Sequence, residues 1–539
     1  MSTAAPDPLQ LYADTAPDRP AVVEGDAVTT YAELNREVNR LASGLASLGV
    51  RKGEVAVWCG PNSREVIAFM HAARKLGLMA VPLAYRFTAD EMAYVIDNSG
   101  AALVMVDAEQ APVVAELEGR VPNLREVVVH RGEHPGFRSW DSVLALGTDD
   151  EPPPSGAEGL GATMIYTSGT TGKPKGARRT RTDRELVFAL LQELRMGFDE
   201  IHLTTGPLYH SGPNAFALLS MSLGGTVVVM RKFDAREWVR LVREHRVTST
   251  FSAPTQLKRI VSLPDDVLAQ ADCSSMRTLI ANAAPVPYAL KQEVIEKLGE
   301  GFLFEVYGST ELGVDTVLSP EDQLRKPGSC GRPYGNIQLK VVDEAGRACP
   351  PGEPGELYIR TTLAMDGYHE TAEQLSELDN DAEPAGSGGK EEPAGSGGKD
   401  EPAGSGGSAW KSVGDVARID EEGFVYICDR KKDMIISGGM NIYPAEIEAV
   451  LYSHPDVMDA AVFGVPDDEW GEKVHAVVQP RAGREIDLVA LGKFVDDRLA
   501  SYKRPRSWEL RDELPRTESG KLLKRLLRDE HWSGRASKV

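Results

Sequence analysis

Apolar residues recur four and three apart from Leu34 through Val38, Leu41 and Leu45 to Leu48, which predicts one face of a helix. Thr30 and Glu33 precede it in the T-x-x-E order of a capping box. Gly53 ends the segment, and Val55 to Cys59 reads as a short buried strand. The rhythm then repeats. A helix is expected from about Ser63 to Leu76, a strand from Met79 to Pro82, a second capping pair at Thr88 and Glu91, and an apolar stretch from Ala102 to Val106. Further on, Gly225 to Met230 reads as a strand, Ala235 to His245 as a helix capped by Asp234, and Thr278 to Ile280 as a strand. Strands alternating with helices predict parallel sheets with right-handed crossovers.

Residues 383–407 break this pattern with a nine-residue tandem repeat, EPAGSGGKE, EPAGSGGKD, EPAGSGG. The repeat has no aromatic or branched apolar residue, so it cannot bury enough surface to offset the entropy of ordering. It is read as a flexible surface insertion within about 376–409. WKSVGDVARIDEEGFVYICDR follows, a polar turn and then strand-like alternation. From about residue 433 a small α/β unit begins. Tyr443-Pro444 opens a helix, Ala460 to Gly464 and Val474 to Gln479 read as strands, and Asp487 to Leu499 reads as a helix. The fold class expected is α/β: a large N-terminal domain of mixed parallel sheets flanked by helices, plus a small mobile α/β C-terminal domain.

Of the 539 residues, 42% are hydrophobic and 26% charged, which admits a large core and excludes wholesale disorder. The formal net charge of −21 argues against nucleic-acid binding by the chain as a whole. Over residues 430–539 basic and acidic residues balance at 19 each, so the acidic excess lies upstream. The five cysteines are scattered with no C-x-x-C, which argues against a disulfide framework or a zinc site and fits a reducing, cytoplasmic compartment. The first residues, MSTAAPDPLQ, have no signal-peptide character. The most apolar run, Phe216 to Met230, is too short for a transmembrane segment and is interrupted by Gly224 and Gly225.

The strongest chemical signal is YTSGTTGKPKG, Tyr166 to Gly176. It gathers the hydroxyls of Thr167, Ser168, Thr170 and Thr171, the glycines Gly169, Gly172 and Gly176, and two lysines. Glycines let backbone N–H groups approach an anion, and hydroxyls and lysines add donors and charge, as a triphosphate requires. The segment is not a Walker A loop, because Pro174 follows Lys173 where Ser or Thr is needed.

With that loop the sequence resembles the adenylate-forming superfamily of acyl-CoA synthetases, peptide-synthetase adenylation domains and firefly luciferase. The resemblance covers nearly the whole chain outside the repeat. It implies that Lys175 is the functional lysine of the phosphate loop and that PLYHSGPN (207–214) places His210 at the acyl pocket. YGSTE (307–311) matches the adenylate motif: Tyr307 would stack on adenine, Thr310 reach the α-phosphate and Glu311 hold magnesium. GELYIR (355–360) precedes VGDVARID, whose Asp415 matches a ribose-binding aspartate. DRKKDMIISGGMNIYPAEIE (429–448) matches the hinge region, with Arg430 at a nucleotide-contacting position and Lys432 at the hinge. Gly438 and Gly439 would let a pantetheine arm pass. PRTESGK (515–521) supplies the catalytic Lys521.

The domains implied are 1–429 for adenylation, 430–433 for the hinge and 434–539 for the mobile unit. The function implied is an ATP-dependent acid–CoA ligase using Mg2+, with fatty acids foremost among its carboxylic acids. A fatty acyl-AMP ligase loading a carrier protein and a non-catalytic nucleotide-binding protein are the alternatives, and a homodimer is compatible with each. Ser211-Gly212 is small and would leave room for a bulky or long acyl group, while Asn282 stands where the family often has Gly. In KLLKRLLR (521–528), Leu522, Leu523, Leu526 and Leu527 are expected on one helical face, with Lys524, Arg525 and Arg528 solvated on the other. Arg231 and Lys232 are expected as a solvated pair, with CoA phosphates a weaker reading.

Overall fold

The computed structural model describes residues 7–157, 159–167, 174–371, 374–378, 409–517 and 521–532. The helix Tyr31–Ser47 forms with both arms of its capping box closed, Thr30 to the Glu33 backbone and Glu33 back to Thr30, a device worth about 1 kcal/mol. Its Leu34, Val38, Leu41 and Leu45 are buried. The same box closes at Thr88 and Glu91 on Ala89–Asn98. Asp234 caps Ala235–His245 by accepting from the Glu237 N–H at 2.9 Å.

Among the described residues the strands form four sheets. Two are eight-stranded and largely parallel. One runs Gly313–Leu318, Leu303–Ser309, Thr278–Ala281, Ser249–Ser252, Ile201–Leu203, Thr226–Val229, Pro20–Glu24, Ala27–Thr30. Only its two outermost pairs are antiparallel. The other runs Gly367–Tyr368, Lys175–Arg179, Ala162–Thr167, Met79–Leu83, Val55–Cys59, Leu103–Asp107, Glu126–His130, Arg138–Ser139. In such sheets ligands bind beyond the carboxyl ends of the strands. Thr167 and Ser309 stand at two of those ends.

The third sheet is antiparallel and sets Asp415–Ile419 between Gly355–Arg360 and Val425–Arg430. Ser376–Leu378, counted with the insertion from the sequence, is a strand paired with Trp410–Ser412 at its edge. The repeat 383–407 itself lies outside the described residues. The fourth sheet belongs to the C-terminal unit. Val457–Asp467 pairs antiparallel with Gly471–Pro480, and Ser507–Leu510 joins parallel. One face packs Ile447, Leu451, Leu491 and Val495 over Val462 and Val474. The other packs Phe463 and Val477 against Leu527 of the helix Lys524–Trp532. No helix among the described residues is long and apolar enough to cross a membrane.

That last helix corrects the sequence reading. It begins at Lys524, and Leu522 instead forms a bridge to Arg516. Leu527 is buried, but Leu526 is 46% exposed. Lys524 is not solvated: its ammonium lies 2.8 Å from the Glu448 carboxylate. Arg528 faces Asp433 at 3.8 Å. Arg231 and Lys232 do stay at the surface, with Lys232 exposed, but they are paired. They close on Asp107 and Glu109 at 2.7–3.0 Å.

Candidate active site

The strands that flank the phosphate-loop segment pair antiparallel, with Thr167 opposite Lys175. Ser168, Gly169, Thr170 and Thr171 lie outside the described residues. Both flanks reach one carboxylate. The Thr167 hydroxyl donates to Glu311 Oε1 at 3.3 Å, and the Tyr368 hydroxyl donates to the same oxygen at 2.9 Å. The Lys175 ammonium stands 5.8 Å over the Tyr368 ring. Thr310 is anchored beside them, with its carbonyl accepting from Arg179 at 3.0 Å and its hydroxyl 3.3 Å from that of Ser211.

Tyr307 belongs to the strand that leads into this turn. Its hydroxyl donates to Asp415 Oδ2 at 2.6 Å. Burial first, and then the Asp415 charge, push that phenol well above its ordinary range. The other Asp415 oxygen faces Arg430 Nε at 3.4 Å, because Asp415 and Arg430 are opposite each other in adjacent strands. GELYIR supplies the strand on the far side, which is why two distant motifs meet.

Lys432 follows Arg430 in a turn. Lys431 there donates its N–H to Gly414 at 2.9 Å and its ammonium pairs with Glu356 at 3.0 Å. Lys521 reaches the same cluster from the C-terminal region. Its N–H donates to the Thr517 hydroxyl at 3.0 Å and its carbonyl accepts from the Thr517 N–H at 2.8 Å. Burial lowers its ammonium to about 8, helped by repulsion from Arg430 and Lys432 and opposed by Asp415 and Glu311. Lys521 therefore feels two cations and two carboxylates of the preceding part of the chain.

The remaining candidates take no part in these contacts. His210 precedes the helix Ser211–Ser222, and its ring packs on Tyr209 at 4.5 Å between centroids. Its Nε2 is buried without a hydrogen-bond partner among the described residues, and burial lowers the ring to about 4, so it is neutral near pH 7. Gly438 and Gly439 form the turn between Ile435–Ser437 and Met440–Ile442, with φ of 57° and 78°. Two successive positive φ values are what a two-residue hairpin turn needs. A side chain at Gly438 would also meet Trp470 at 2.6 Å.

Two expectations about pocket shape change. The space beside Gly212 is filled by Phe251, whose ring would lie 2.7 Å from an added Cβ. Asn282 turns its amide to the Val306 carbonyl at 2.5 Å. Sequence reasoning also missed Tyr368, Arg179 and Asp315. Tyr368 is placed by pairing of Gly367–Tyr368 with Lys175–Arg179, a long-range register with no local signal. Asp315 is fully buried, neither of its oxygens has a hydrogen-bond partner among the described residues, and burial raises its carboxyl well above the usual range.

A family model described as AMP-binding enzyme matches residues 9–369, and one described as AMP-binding enzyme C-terminal domain matches 446–521. A feruloyl-CoA synthase from Amycolatopsis sp is 36% identical over 94% of this chain and 95% of its own. A fatty acid–[acyl-carrier-protein] ligase from Streptomyces coeruleorubidus is 33% identical over 98% and 96%. The solved o-succinylbenzoate CoA synthetase from Bacillus subtilis, in complex with its acyl-adenylate intermediate, superposes with a TM-score of 0.78 at 29% identity, covering 99% of each chain. With the first model spanning well over half its residues and the second falling on the unit that carries Lys521, the chain belongs to the AMP-binding, adenylate-forming enzymes.

Proposed function

We propose that the protein is an ATP-dependent acid–CoA ligase, working in a reducing cytoplasm where its five cysteines stay free. The carrying observation is that the separated motifs meet, Tyr307 on Asp415 at 2.6 Å and Thr167 on Glu311 at 3.3 Å. In the first half-reaction a substrate carboxylate oxygen bonds to the α-phosphorus of ATP and the bond to pyrophosphate breaks. In the second, the CoA thiol bonds to the acyl carbon, AMP leaves, and the thiol proton goes to solvent or a base.

In this reading the Tyr307 ring stacks on adenine and Asp415 accepts from the ribose hydroxyls. Arg430 contacts the nucleotide, and Thr167 to Thr171 with Lys175 hold the β- and γ-phosphates. Thr310 reaches the α-phosphate. Lys521 neutralises the attacking carboxylate and the phosphoryl charge, since catalysis of such a step is mostly positioning and charge compensation. Glu311, with the Thr167 and Tyr368 hydroxyls beside it, offers the all-oxygen donors that magnesium takes. Magnesium bound there would offset phosphate charge. His210, neutral, lines the acyl pocket.

The acyl-adenylate is a mixed anhydride that must be kept from water until the thiol arrives. A large unit 1–429, a hinge 430–433 about Lys432 and a moving unit 434–539 would serve both steps by domain rotation. Gly438 and Gly439 would then line the pantetheine path. The acid is taken from the wider carboxylic class. With Phe251 closing the room beside Gly212, aryl acids belong in the test alongside fatty ones. Pyrophosphate release across an acid panel, with mass detection of the thioester, tests the reading. Thioester formation is expected with at least one acid. Acyl-AMP accumulating without thioester in abundant CoA would move the protein to the carrier-protein-loading alternative.

Deleting 383–407 should leave both half-reactions within about tenfold, or roughly 1.4 kcal/mol of barrier, and the melting temperature unchanged or slightly higher. The paired strands Ser376–Leu378 and Trp410–Ser412 remain to close the connection. Shortening this connection about fivefold changes closure by only about 1.5 kcal/mol, in the stabilising direction. A larger loss confined to thiolation would instead make the repeat a restraint on domain rotation.

A further inference from the structure

We propose that His475, Glu509 and His531 form a binding site for one divalent transition-metal ion of the zinc type, remote from the nucleotide chemistry. His475 lies on Gly471–Pro480 and Glu509 on the neighbouring Ser507–Leu510, where His475 is opposite Ser507 and Val477 opposite Glu509. Strand residues two apart share a face. His475, Val477 and Glu509 therefore all look toward the helix Lys524–Trp532, which brings His531 in its last turn. One donor atom from each of the three residues lies within 4.8 Å of the other two.

The second observation is an orphaned nitrogen. His475 is 4% exposed, and its Nε2 is buried without a hydrogen-bond partner among the described residues. Its Nδ1 is 2.8 Å from the Ser507 hydroxyl. With Nδ1–H donating to that hydroxyl, the Nε2 lone pair is turned toward Glu509 Oε2, 3.7 Å away. His531 Nε2 is 3.8 Å from the same oxygen, and the two imidazole centroids are 4.6 Å apart. These gaps are too long for hydrogen bonds. A tetrahedral ion with ligand distances of about 2.0–2.2 Å sets its donors about 3.3–3.6 Å apart, so small side-chain rotations close the site. Arg511 holds the other Glu509 oxygen, and Ser507 holds the other His475 nitrogen. Such partners orient ligands in metal sites. Two imidazoles and one carboxylate suit zinc and its neighbours, not magnesium.

The cysteine pattern argued against a zinc site because it could not report on these residues. The ligands come from two strands and a helix with no short motif. An ion here would clamp the end of the helix whose first turn carries Lys524, three residues after Lys521.

Full-length protein stripped with chelator, free of nucleotide and kept in excess magnesium, is titrated with zinc. Expected are one ion per chain at micromolar or tighter affinity and a melting temperature raised by several degrees. Cobalt in its place should give the intense visible bands of tetrahedral coordination. His531→Ala, at a half-exposed imidazole, and Glu509→Gln should each lose at least about tenfold in affinity together with the melting shift. No uptake by the wild type at tens of micromolar zinc overturns the proposal. So does binding that both variants retain.

Discussion

Lys521→Ala should lower acyl-adenylate formation by about 10²–10³, the usual loss for one charge-stabilising donor at a reacting oxyanion. It should largely spare thiolation of supplied acyl-AMP, because the cation is needed mainly while phosphoryl charge is in flight. Pyrophosphate release and thioester formation from synthetic acyl-AMP separate the two, and equal loss in both would remove Lys521 from the proposed role. Its environment gives a second signature. Burial, Arg430 and Lys432 lower its ammonium to about 8. Raising pH through that value takes the proton from the free enzyme, so kcat/KM for adenylation should fall on the alkaline side. Bound ATP adds negative charge and holds the proton, so kcat should fall only at higher pH. Lys521→Arg keeps its charge throughout and should erase this limb even if slower. A flat wild-type profile from about pH 7 to 10 would contradict the assignment.

What was legible beforehand follows from which signals are local. Capping boxes at Thr30 and Thr88, the Asp234 cap and apolar runs such as Val55–Cys59 are written within a few residues of the element they start, and the elements form there. The candidate site was legible as separated motifs. That Asp415 would meet Tyr307, and Thr167 meet Glu311, depends on sheet order. Sequence order does not state it: Ile201–Leu203 sits between Thr226–Val229 and Ser249–Ser252. The misses share that origin. Lys524 read as solvated because helical spacing shows a face but not the Glu448 behind it. Gly212 read as open because Phe251, which fills the space, comes 39 residues later. Tyr368 carries no local mark, and its place beside Glu311 comes from an edge-strand register.

Asp415→Asn should reduce kcat/KM for ATP by about 10²–10³. Hydrogen bonds to a charged group contribute about 1.5–3 kcal/mol each, and the proposed role gives Asp415 two ribose hydroxyls. The substitution keeps shape and one acceptor oxygen at a site only 5% exposed, so the fold should survive. The side chain also has local work. It accepts the Tyr307 hydroxyl at 2.6 Å and balances Arg430 at 3.4 Å. Neutralising it leaves Arg430 and Lys432 less compensated beside Lys521, whose ammonium Asp415 helps to hold charged. The sign follows: removing an attracting carboxylate moves the Lys521 proton off at lower pH, so the alkaline limb of adenylation should shift down in Asp415→Asn. A loss of ATP affinity alone, with that limb unmoved, would keep Asp415 as a ribose ligand but separate it from Lys521. A shifted limb together with the affinity loss would tie the two residues into one electrostatic unit. The two parts of the chain would then be coupled through charge at the step where the carboxylate meets the phosphate.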